Sequence, residues 1–202
     1  MNKESLTNLL HQLKNGQIEV NEAIDKLNIL PFQDLGFAKI DHHRSLRTGY
    51  SEVIFCQGKT DEQVEKIYMS LSNQNQDILL TRAEKSLFEK LNSLDSRLRY
   101  NSLARTIVLE TSEKEKTGNV LIISAGTADL PVAEEAAETA QISGANVERI
   151  YDAGVAGIHR LLAHYKSIQD ARCIVTVAGM EGALPSVVGG LASCPVIAVP
   201  TS

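Results

Sequence analysis

The stretch VLIISAGTADLPVAEEAA, residues 120–137, decides the fold of this chain. Four apolar residues lead through a turn of small and polar residues into an alanine-rich segment, which is typical of a strand followed by a helix. The same order recurs further along the chain, where NVERIYD, ARCIVTVAG and CPVIAVPTS alternate with the helical segments GIHRLLAHYKSIQ and PSVVGGLAS. Strands with continuous apolar runs, each followed by a helix, indicate a parallel sheet covered on both faces. The sequence therefore predicts a three-layer α/β/α domain.

Two smaller regions precede this domain. Residues 1–30 carry apolar side chains at helical spacing on either side of KNGQ, which predicts a helical hairpin for packing or oligomerisation. Residues 31–112 contain the strand-like runs AKID, SEVIFC, DILLT and LARTIVLE and a helix over 60–72, which predict a small α/β domain. The charged stretch TSEKEKTGN, residues 111–119, has no apolar periodicity and is the expected linker. The α/β/α domain then occupies residues 119–202.

The composition of the chain excludes several classes of protein. The 25 acidic residues outnumber the 20 basic ones, so the chain lacks the basic surface that a nucleic-acid partner requires. Polar residues interrupt the N-terminal leucines, and no apolar run elsewhere could span a bilayer, so we expect a cytoplasmic protein without a membrane partner. The cysteines Cys56, Cys173 and Cys194 are far apart and lack CxxC spacing, which favours reduced thiols over a zinc site or disulfides.

The turns that follow the strands of the large domain form the predicted site, because ligands of open parallel sheets bind outside the carboxyl ends of the strands. In the first turn, SAGTADLP, Ser124, Gly126 and Thr127 bring backbone N–H groups and two hydroxyls close to a helix N-terminus, which is a natural anion cradle. Asp129 has two interpretations: it caps the helix that Pro131 opens, or it binds sugar hydroxyls or acts on protons. The dinucleotide fingerprint GxGxxG is absent, which argues against a hydride-transfer enzyme.

The second and third turns add acidic residues and a histidine. In YDAGVAGIHR, Asp152 ends a strand and His159 opens a helix, where a histidine can cap, pack or shuttle protons. In AGMEGALPS, Glu181 lies among residues so small that a planar ligand can lie against the backbone. We therefore predict Asp129, Asp152, His159 and Glu181 as catalytic residues. The predicted substrate-binding residues of the three turns are Ser124, Ala125, Gly126, Thr127, Gly154, Val155, Ala178, Gly179, Met180 and Gly182.

The stretch DHHRSLRTGYSEVIFCQGKT concentrates polar residues within the small domain. Arg44 and Arg47 suit the recognition of a carboxylate or phosphate, because a planar guanidinium binds either group in bidentate fashion. The alternative interpretation is an exposed polar loop before a strand. The adjacent His42 and His43 lack the i, i+4 spacing of a helical metal pair, so no metal site is predicted. Cys56 is expected to be a small buried packing residue.

These motifs resemble those of a known family. SAGTAD stands where the aminoimidazole ribonucleotide (AIR) carboxylases, or PurE proteins, have a GSxSD phosphate loop, and VAGMEGALPSVVGGLASCPVIAVPTS is similar to their AGxxxHLPG…PVxGVP stretch. With DHHRSLRTGYSEVIFCQGKT, SAGTADLPVAEEA, DAGVAGIHRLL and AGMEGALPSVVGGL in order, nearly the whole chain resembles the LarB family of nickel-pincer nucleotide biosynthesis. The resemblance implies a PurE-like fold for the large domain and a homo-oligomer, an octamer in the relatives.

The resemblance also implies a reaction for the lactate racemase cofactor pathway: carboxylation of nicotinic acid adenine dinucleotide at C5 of its pyridinium ring, with hydrolysis of the phosphoanhydride. The co-substrate is CO2 or bicarbonate, and the products are pyridinium-3,5-biscarboxylic acid mononucleotide and AMP. No tightly bound cofactor is implied, and a requirement for Mg2+ stays open. Because a pyridinium cannot attack CO2, the family first adds a cysteine thiolate to the ring. That cysteine lies after the PTS strand, and none of the three cysteines of this sequence matches its position.

The resemblance gives each turn a role. The first turn would hold a phosphate, with Asp129 near the ribose or the reacting ring. Asp152 and His159 fall in the turn that carries the proton-handling histidine of the PurE relatives, whose SAHR sequence is replaced here by GVAGIH. Glu181 would take the C5 proton or position water, and the two arginines of the small domain would clamp the substrate carboxylate or diphosphate.

Two other functions are consistent with the same turns. One is an AIR carboxylase or mutase, against which the arginine motif and the absence of SAHR argue. The other is a non-catalytic nucleotide-binding module, which would use the phosphate turn without turnover.

Overall fold

The structure is a computed structural model that describes residues 3–27, 32–42, 44–74, 76–111, 115–179 and 181–201. Its helices are α1 (Lys3–Lys14), α2 (Val20–Leu27), α3 (Arg44–Thr48), α4 (Asp61–Ser72), α5 (Lys85–Asn92), α6 (Leu130–Ile142), α7 (Ile158–Leu162), α8 (Tyr165–Asp170) and α9 (Ala183–Leu191). Its strands are β1 (Gln33–Asp34), β2 (Lys39–Ile40), β3 (Val53–Phe55), β4 (Ile78–Thr81), β5 (Arg99–Asn101), β6 (Thr106–Leu109), β7 (Thr117–Ser124), β8 (Ala145–Ile150), β9 (Cys173–Ala178) and β10 (Val196–Pro200). Within the described ranges, no helix has the length and apolar character needed to cross a membrane.

The last four strands form a parallel sheet in the order β10-β9-β7-β8. Helices cover both faces of this sheet. The side chains of each strand point alternately to opposite sides, so neighbouring residues of one strand pack against different helices. Leu121 and Ile123 of β7 pack in the cluster that contains buried residues of α7, α8 and α9, whereas Ile122 packs with Ala133 and Ala137 of α6. All three residues of β7 are fully buried. The predicted α/β fold with a parallel, doubly covered sheet is confirmed.

The predicted helix GIHRLLAHYKSIQ is two helices in the structure, α7 and α8, which separate at Ala163 and His164. A continuous helix would place residues 161, 164, 165 and 168 on one face, because residues three and four apart are neighbours on a helix. His164 or Tyr165 would then enter the core beside Leu161 and Ile168. The break leaves His164 and Tyr165 exposed while Leu161 and Ile168 stay fully buried.

Two further elements differ from the sequence-based prediction. Strand β7 begins at Thr117, so the last residues of the predicted linker 111–119 belong to the sheet. The segment for which an exposed polar loop was the alternative interpretation contains helix α3, which ends at Thr48 and is followed by Gly49 with φ 79°. The N–H of Gly49 donates to the carbonyl of Ser45 at 3.0 Å, and a glycine in the left-handed conformation is the usual way to end a helix.

The small α/β region contains a sheet of order β3-β4-β6-β5, in which β3 and β4 are parallel, and a separate antiparallel pair, β1 and β2. Helix α4 begins at a capping box. The hydroxyl of Thr60 accepts from the N–H of Gln63 at 3.3 Å, and the side chain of Gln63 accepts from the N–H of Thr60 at 3.0 Å. Tyr68 and Leu71 then bury the inner face of α4.

The described residues group into two compact units. The first lies within Met1–Leu98 and Val108–Ser112, and the second within Arg99–Ile107 and Glu113–Ser202. This grouping assigns strand β5 to the second unit. The boundaries predicted from the sequence, at 1–30, 31–112 and 119–202, stay a proposal for the domain organisation of the chain.

Helix α6 carries two buried carboxylates, those of Glu134 and Glu138. Arg99 donates two hydrogen bonds to Glu138, at 3.0 and 2.8 Å, and Asn101 donates a third at 2.9 Å. Glu134 accepts from Nε of Arg149 at 3.1 Å. Both glutamates are less than one-tenth exposed, and buried charges are tolerated when they are paired and hydrogen-bonded. These contacts fasten strand β5 to helix α6 within the second unit.

The pKa of Glu138 lies below its ordinary value. Burial alone would raise this pKa, but the hydrogen bonds from Arg99 and Asn101 and the charges of Arg99 and Arg149 outweigh burial. A carboxyl group whose pKa is lower in the folded state stabilises the fold fully above its unfolded-state pKa, about 4.3. That stabilisation is lost as the pH falls through the folded-state pKa.

We therefore expect Glu138→Gln to lower the free energy of unfolding by about 1–3 kcal/mol at neutral pH, because hydrogen bonds to a charged group are lost. The deficit should shrink as the pH is lowered below about 4.3. Urea denaturation from neutral pH to about pH 3.5 measures both effects. Glu89→Gln is the control, because Glu89 forms an exposed i, i+4 pair with Lys85 and such pairs contribute little. A deficit for Glu138→Gln that is equal at every pH would contradict the assignment.

Candidate functional site

The three turns predicted to form the site all leave the same edge of the sheet. Strands β7, β8 and β9 are parallel and end at Ser124, Ile150 and Ala178. Each turn then leads into a short helical element on one or the other face. Backbone contacts join the first two turns, since the N–H of Ala153 donates to the carbonyl of Ser124 at 3.0 Å. The first two turns are therefore packed against each other at the carboxyl edge of the sheet.

The first turn is arranged around Asp129, which is buried. Residues Thr127–Asp129 form a 3-10 turn, and Oδ2 of Asp129 accepts from the N–H of Gly126 at 2.8 Å. Asp129 makes no side-chain cap hydrogen bond to α6. Asp129 thus occupies the predicted N-cap position of α6, but its carboxylate closes the preceding turn instead of capping the helix. The Gly126 N–H is engaged within the protein, which leaves the exposed Thr127 as the open end of the predicted anion cradle.

Ser124 is held inside the protein at the base of the first turn. Its side chain is fully buried, and its Oγ accepts from the N–H of Asp152 at 3.4 Å. Ala125 donates its N–H to the carbonyl of Val177 in β9 at 2.9 Å. In this structure Ser124 and Ala125 order the first turn against its neighbours, and contact of Ser124 with a phosphate stays a prediction.

Thr201 is a residue of the site that sequence reasoning missed. Its Oγ1 donates to Oδ1 of Asp129 at 2.6 Å, and its N–H donates to the carbonyl of Ala178 at 2.8 Å. One residue thereby connects the first turn to the start of the third. The signal was present in the sequence, since Thr201 directly follows β10 and so leaves the sheet at the same carboxyl edge.

The second turn packs tightly against the first. Asp152 has φ 55°, a left-handed conformation that aspartate tolerates better than most residues, and its carboxylate forms an ion pair with Arg160. At Gly154 a Cβ atom would lie 2.8 Å from the carbonyl oxygen of Ala125. A glycine is therefore required where the two turns meet, which explains in physical terms why Gly154 occupies this position.

The remaining predicted residues of the second turn differ in exposure. Val155 is partly buried and packs against the core cluster beneath the turn. His159 is exposed on α7, next to Arg160. His159 is therefore accessible to solvent.

The third turn is short and rich in glycine. The N–H of Gly182 donates to the carbonyl of Gly179 at 3.2 Å, and Gly182 has φ 61° at the start of α9. Glu181 is exposed, and its carboxylate folds back over Gly179, where a Cβ atom would lie 3.2 Å from Oε2. Met180 lies outside the described residues. The third turn thus presents the long acidic side chain of Glu181 beside the glycine backbone at Gly179.

The arginine motif lies in the first unit. Arg44 is exposed on α3, and its positive charge acts on Glu52, whose pKa is raised by burial and lowered in part by Arg44. Arg47 belongs to the same helix, but its side chain, like His43, lies outside the described part of the structure. His42 is buried and hydrogen-bonds Gln33 at 3.1 Å, which corrects its interpretation as part of an exposed loop.

The two cysteines of the second unit lie away from the carboxyl edge of its sheet, and the third cysteine belongs to the first unit. Cys56 is buried in the first unit, as predicted, and burial raises the pKa of its thiol to about 12. Cys173 begins β9 and Cys194 precedes β10, so both lie at the amino end of the strands. The pKa of Cys194 is also raised, by burial and by the neighbouring Cys173. Low thiolate content makes such thiols poor nucleophiles.

The site therefore combines one buried, rigidly held carboxylate with exposed acidic and basic groups. Asp129 is fixed at both oxygens, whereas Asp152, His159 and Glu181 are exposed at the turns that follow β8 and β9. Such an arrangement can orient a polar ligand at the fixed carboxylate and exchange protons at the exposed groups. Among the described residues, no group of three or more histidine, cysteine, aspartate or glutamate side chains is arranged to hold a metal ion.

Comparisons with known proteins agree with this architecture. A family model described as a LarB/PurE-like N-terminal domain matches residues 32–112, and one described as AIR carboxylase matches residues 119–202. An uncharacterized protein of Methanocaldococcus jannaschii is 37% identical over 209 residues, which cover 98% of this chain and 82% of that relative.

The parallel sheet and its three turns define a PurE-like α/β protein of the carboxylase type. The chain belongs to the LarB family, because a LarB-type N-terminal domain precedes the AIR carboxylase domain in one sequence.

Proposed function

We propose that this protein carboxylates nicotinic acid adenine dinucleotide at C5 of the pyridinium ring and hydrolyses its phosphoanhydride, for the synthesis of the nickel-pincer nucleotide. The observation that carries the proposal is the succession of the two family domains along the chain. An AIR carboxylase domain supports a carboxylase-type role, and the preceding LarB-type domain favours the pyridinium dinucleotide as substrate. CO2 or bicarbonate supplies the new carboxyl group, and water supplies the oxygen that divides the diphosphate into the mononucleotide and AMP.

The turns at the carboxyl edge supply groups suited to binding and proton transfer. Asp129 has a single orientation and would bind the ribose or face the reacting ring. Glu181, exposed above a bare glycine backbone, would accept the C5 proton, and His159 would exchange protons with solvent. Thr127, at the open end of the first turn, would contact a phosphate through the N-terminal region of α6. Ring addition is not assigned to Cys173 or Cys194, because both lie at the amino end of the strands, nor to Cys56, because burial raises the pKa of its thiol.

We further propose that Arg44 and Arg47 recognise the substrate carboxylate or diphosphate. A guanidinium binds either group in bidentate fashion. A dependence on Mg2+, which would screen the diphosphate during hydrolysis, belongs to the same proposal. Assembly as a homo-oligomer and a cytoplasmic location are also part of it.

The test uses the full-length gene product with nicotinic acid adenine dinucleotide and carbon-13 bicarbonate. We expect equal amounts of two products, AMP and a mononucleotide that carries the carbon-13 label, measured by chromatography and mass spectrometry. NAD is the matched control substrate, because an amide replaces the carboxylate that the arginines would recognise, and we expect it to react more slowly. If the dinucleotide yields no AMP, the proposal is wrong.

The competing function, an AIR carboxylase or mutase, has the support of the domain match over residues 119–202. The same preparation should therefore be assayed with AIR and bicarbonate. Turnover of AIR without turnover of the dinucleotide would replace our proposal with this one. Calorimetric binding of the dinucleotide without either reaction would instead favour a nucleotide-binding module.

A further inference from the structure

A cavity of about 160 Å³ lies in the first unit, between β2, β3 and α4. Its inner wall includes Ile54 and Ile67, which are buried, and its outer wall includes Val53 and Phe55, which are 46% and 48% exposed. Val53 and Phe55 point to the same side of β3 because they are two residues apart. Strand β3 is also the end of its sheet, so the wall that these side chains form is open to solvent.

Charged groups surround the mouth of this cavity. Lys39 and Lys59 both line it and are exposed. The ammonium group of Lys59 donates to the carbonyl of Phe55 at 2.6 Å and lies 5.9 Å from the centre of the Phe55 ring. Arg44 acts electrostatically on Glu52, which is the acidic residue of the lining. The charge of Asp41 acts on Glu52 as well, in the opposite sense to Arg44. The cations of the lining itself are therefore Lys39 and Lys59.

The carboxyl group of Glu52 is held in place. Among the described residues, the N–H of Asp41 donates a hydrogen bond to Oε2 of Glu52 at 2.9 Å. The other carboxylate oxygen, Oε1, can then accept a hydrogen bond from a ligand. A carboxylate oxygen accepts hydrogen bonds and cannot donate them. The cavity therefore offers an acceptor beside an aromatic face, with cations at the rim.

We propose that this cavity binds a nucleoside monophosphate whose base carries an exocyclic amino group, with AMP as the representative. The base stacks on Phe55 and donates its amino group to Glu52, and the phosphate lies at the rim with Lys39 and Lys59. The cavity is smaller than the several hundred Å³ of a pocket that encloses a whole ligand. It accordingly takes the base and leaves the phosphate outside, where the exposed ammonium groups lie. This site is independent of the reaction proposed above.

The experiment is amide hydrogen exchange of the full chain, followed by mass spectrometry, with and without AMP. We expect AMP to slow exchange across residues 52–59. Phe55→Leu, which keeps an apolar side chain but removes the ring, should weaken AMP binding about tenfold, because stacking of a base on an aromatic ring contributes strongly to affinity. Lys85→Ala, a change at an exposed lysine of α5, should leave binding unchanged.

Ligand specificity tests the two polar contacts separately. AMP should bind more tightly than adenosine, and the double variant Lys39→Ala, Lys59→Ala should abolish that difference. AMP should also bind more tightly than inosine monophosphate, whose base presents an oxygen to the carboxyl group, and Glu52→Gln should narrow the preference. Asp129→Asn should leave the protection at residues 52–59 unchanged, which separates this site from the carboxyl edge. Absence of protection there, or equal affinity of Phe55→Leu and the unchanged protein, would overturn the proposal.

Discussion

Replacing Asp129 with asparagine is expected to lower turnover of nicotinic acid adenine dinucleotide by about 10²–10⁴-fold, the range over which a positioned acid or base contributes. The melting temperature should change little. Chromatographic measurement of AMP release, with thermal unfolding of the same preparations, separates the two effects. The prediction follows from the contacts of the carboxylate. An asparagine can make the same number of hydrogen bonds, but it carries no negative charge.

The side-chain amide can replace the carboxylate in the network without leaving a buried group unpaired. Its oxygen can accept from the Gly126 N–H, which can only donate, as Oδ2 of Asp129 does at 2.8 Å. Its NH2 group then faces Thr201, whose hydroxyl can reverse and accept the hydrogen bond. The fold is preserved because a hydroxyl serves as donor or acceptor. The negative charge and the capacity to take a proton are lost.

Thr201 provides the matched variants for this experiment. Thr201→Val removes one of the two hydrogen bonds that fix Asp129 but keeps its charge, so we expect a loss of turnover smaller than that of Asp129→Asn. Thr201→Ser keeps the hydroxyl and should restore most of the rate. If Asp129→Asn retains nearly full activity, the carboxylate only closes the first turn and has no part in the reaction.

The sequence predicts the parallel sheet well, because its evidence is local. A run such as VLIIS must be buried on both faces, and each run is followed by a segment of helical composition. The break between α7 and α8 could not be predicted from such local patterns. It depends on which of His164, Tyr165 and Ile168 enters the core, and that choice is made by packing against the sheet.

The site illustrates the same division between local and long-range information. The three turns are predictable, since the carboxyl ends of parallel strands share one edge. The role of Thr201 was not, because its contact with Asp129 joins residues 72 positions apart. The sequence also could not reveal that Gly126 donates to Asp129, or that Ser124 is buried beneath the second turn. Both depend on the conformation of the turn itself.

The close approach of the first two turns makes Gly154→Ala the second variant with a large expected effect. The added Cβ would lie 2.8 Å from the carbonyl oxygen of Ala125, and a backbone atom inside a hydrogen-bonded turn cannot move away freely. The turns must separate, which strains the contact between Ala153 and Ser124. We expect a loss of about 1–3 kcal/mol in stability, as for other overpacked sites. That loss corresponds to a melting temperature lower by several degrees.

A second glycine of the same unit supplies the control for this measurement. Gly189 lies inside helix α9 with open space around its Cβ position, so Gly189→Ala should be neutral or slightly stabilising. Thermal unfolding of both variants tests the geometry without any assumption about the reaction. Activity adds a second test, because separation of the turns displaces Asp152 from the position that its N–H contact with Ser124 defines. If Gly154→Ala has the same melting temperature as Gly189→Ala and keeps its activity, the first two turns are not packed rigidly against each other.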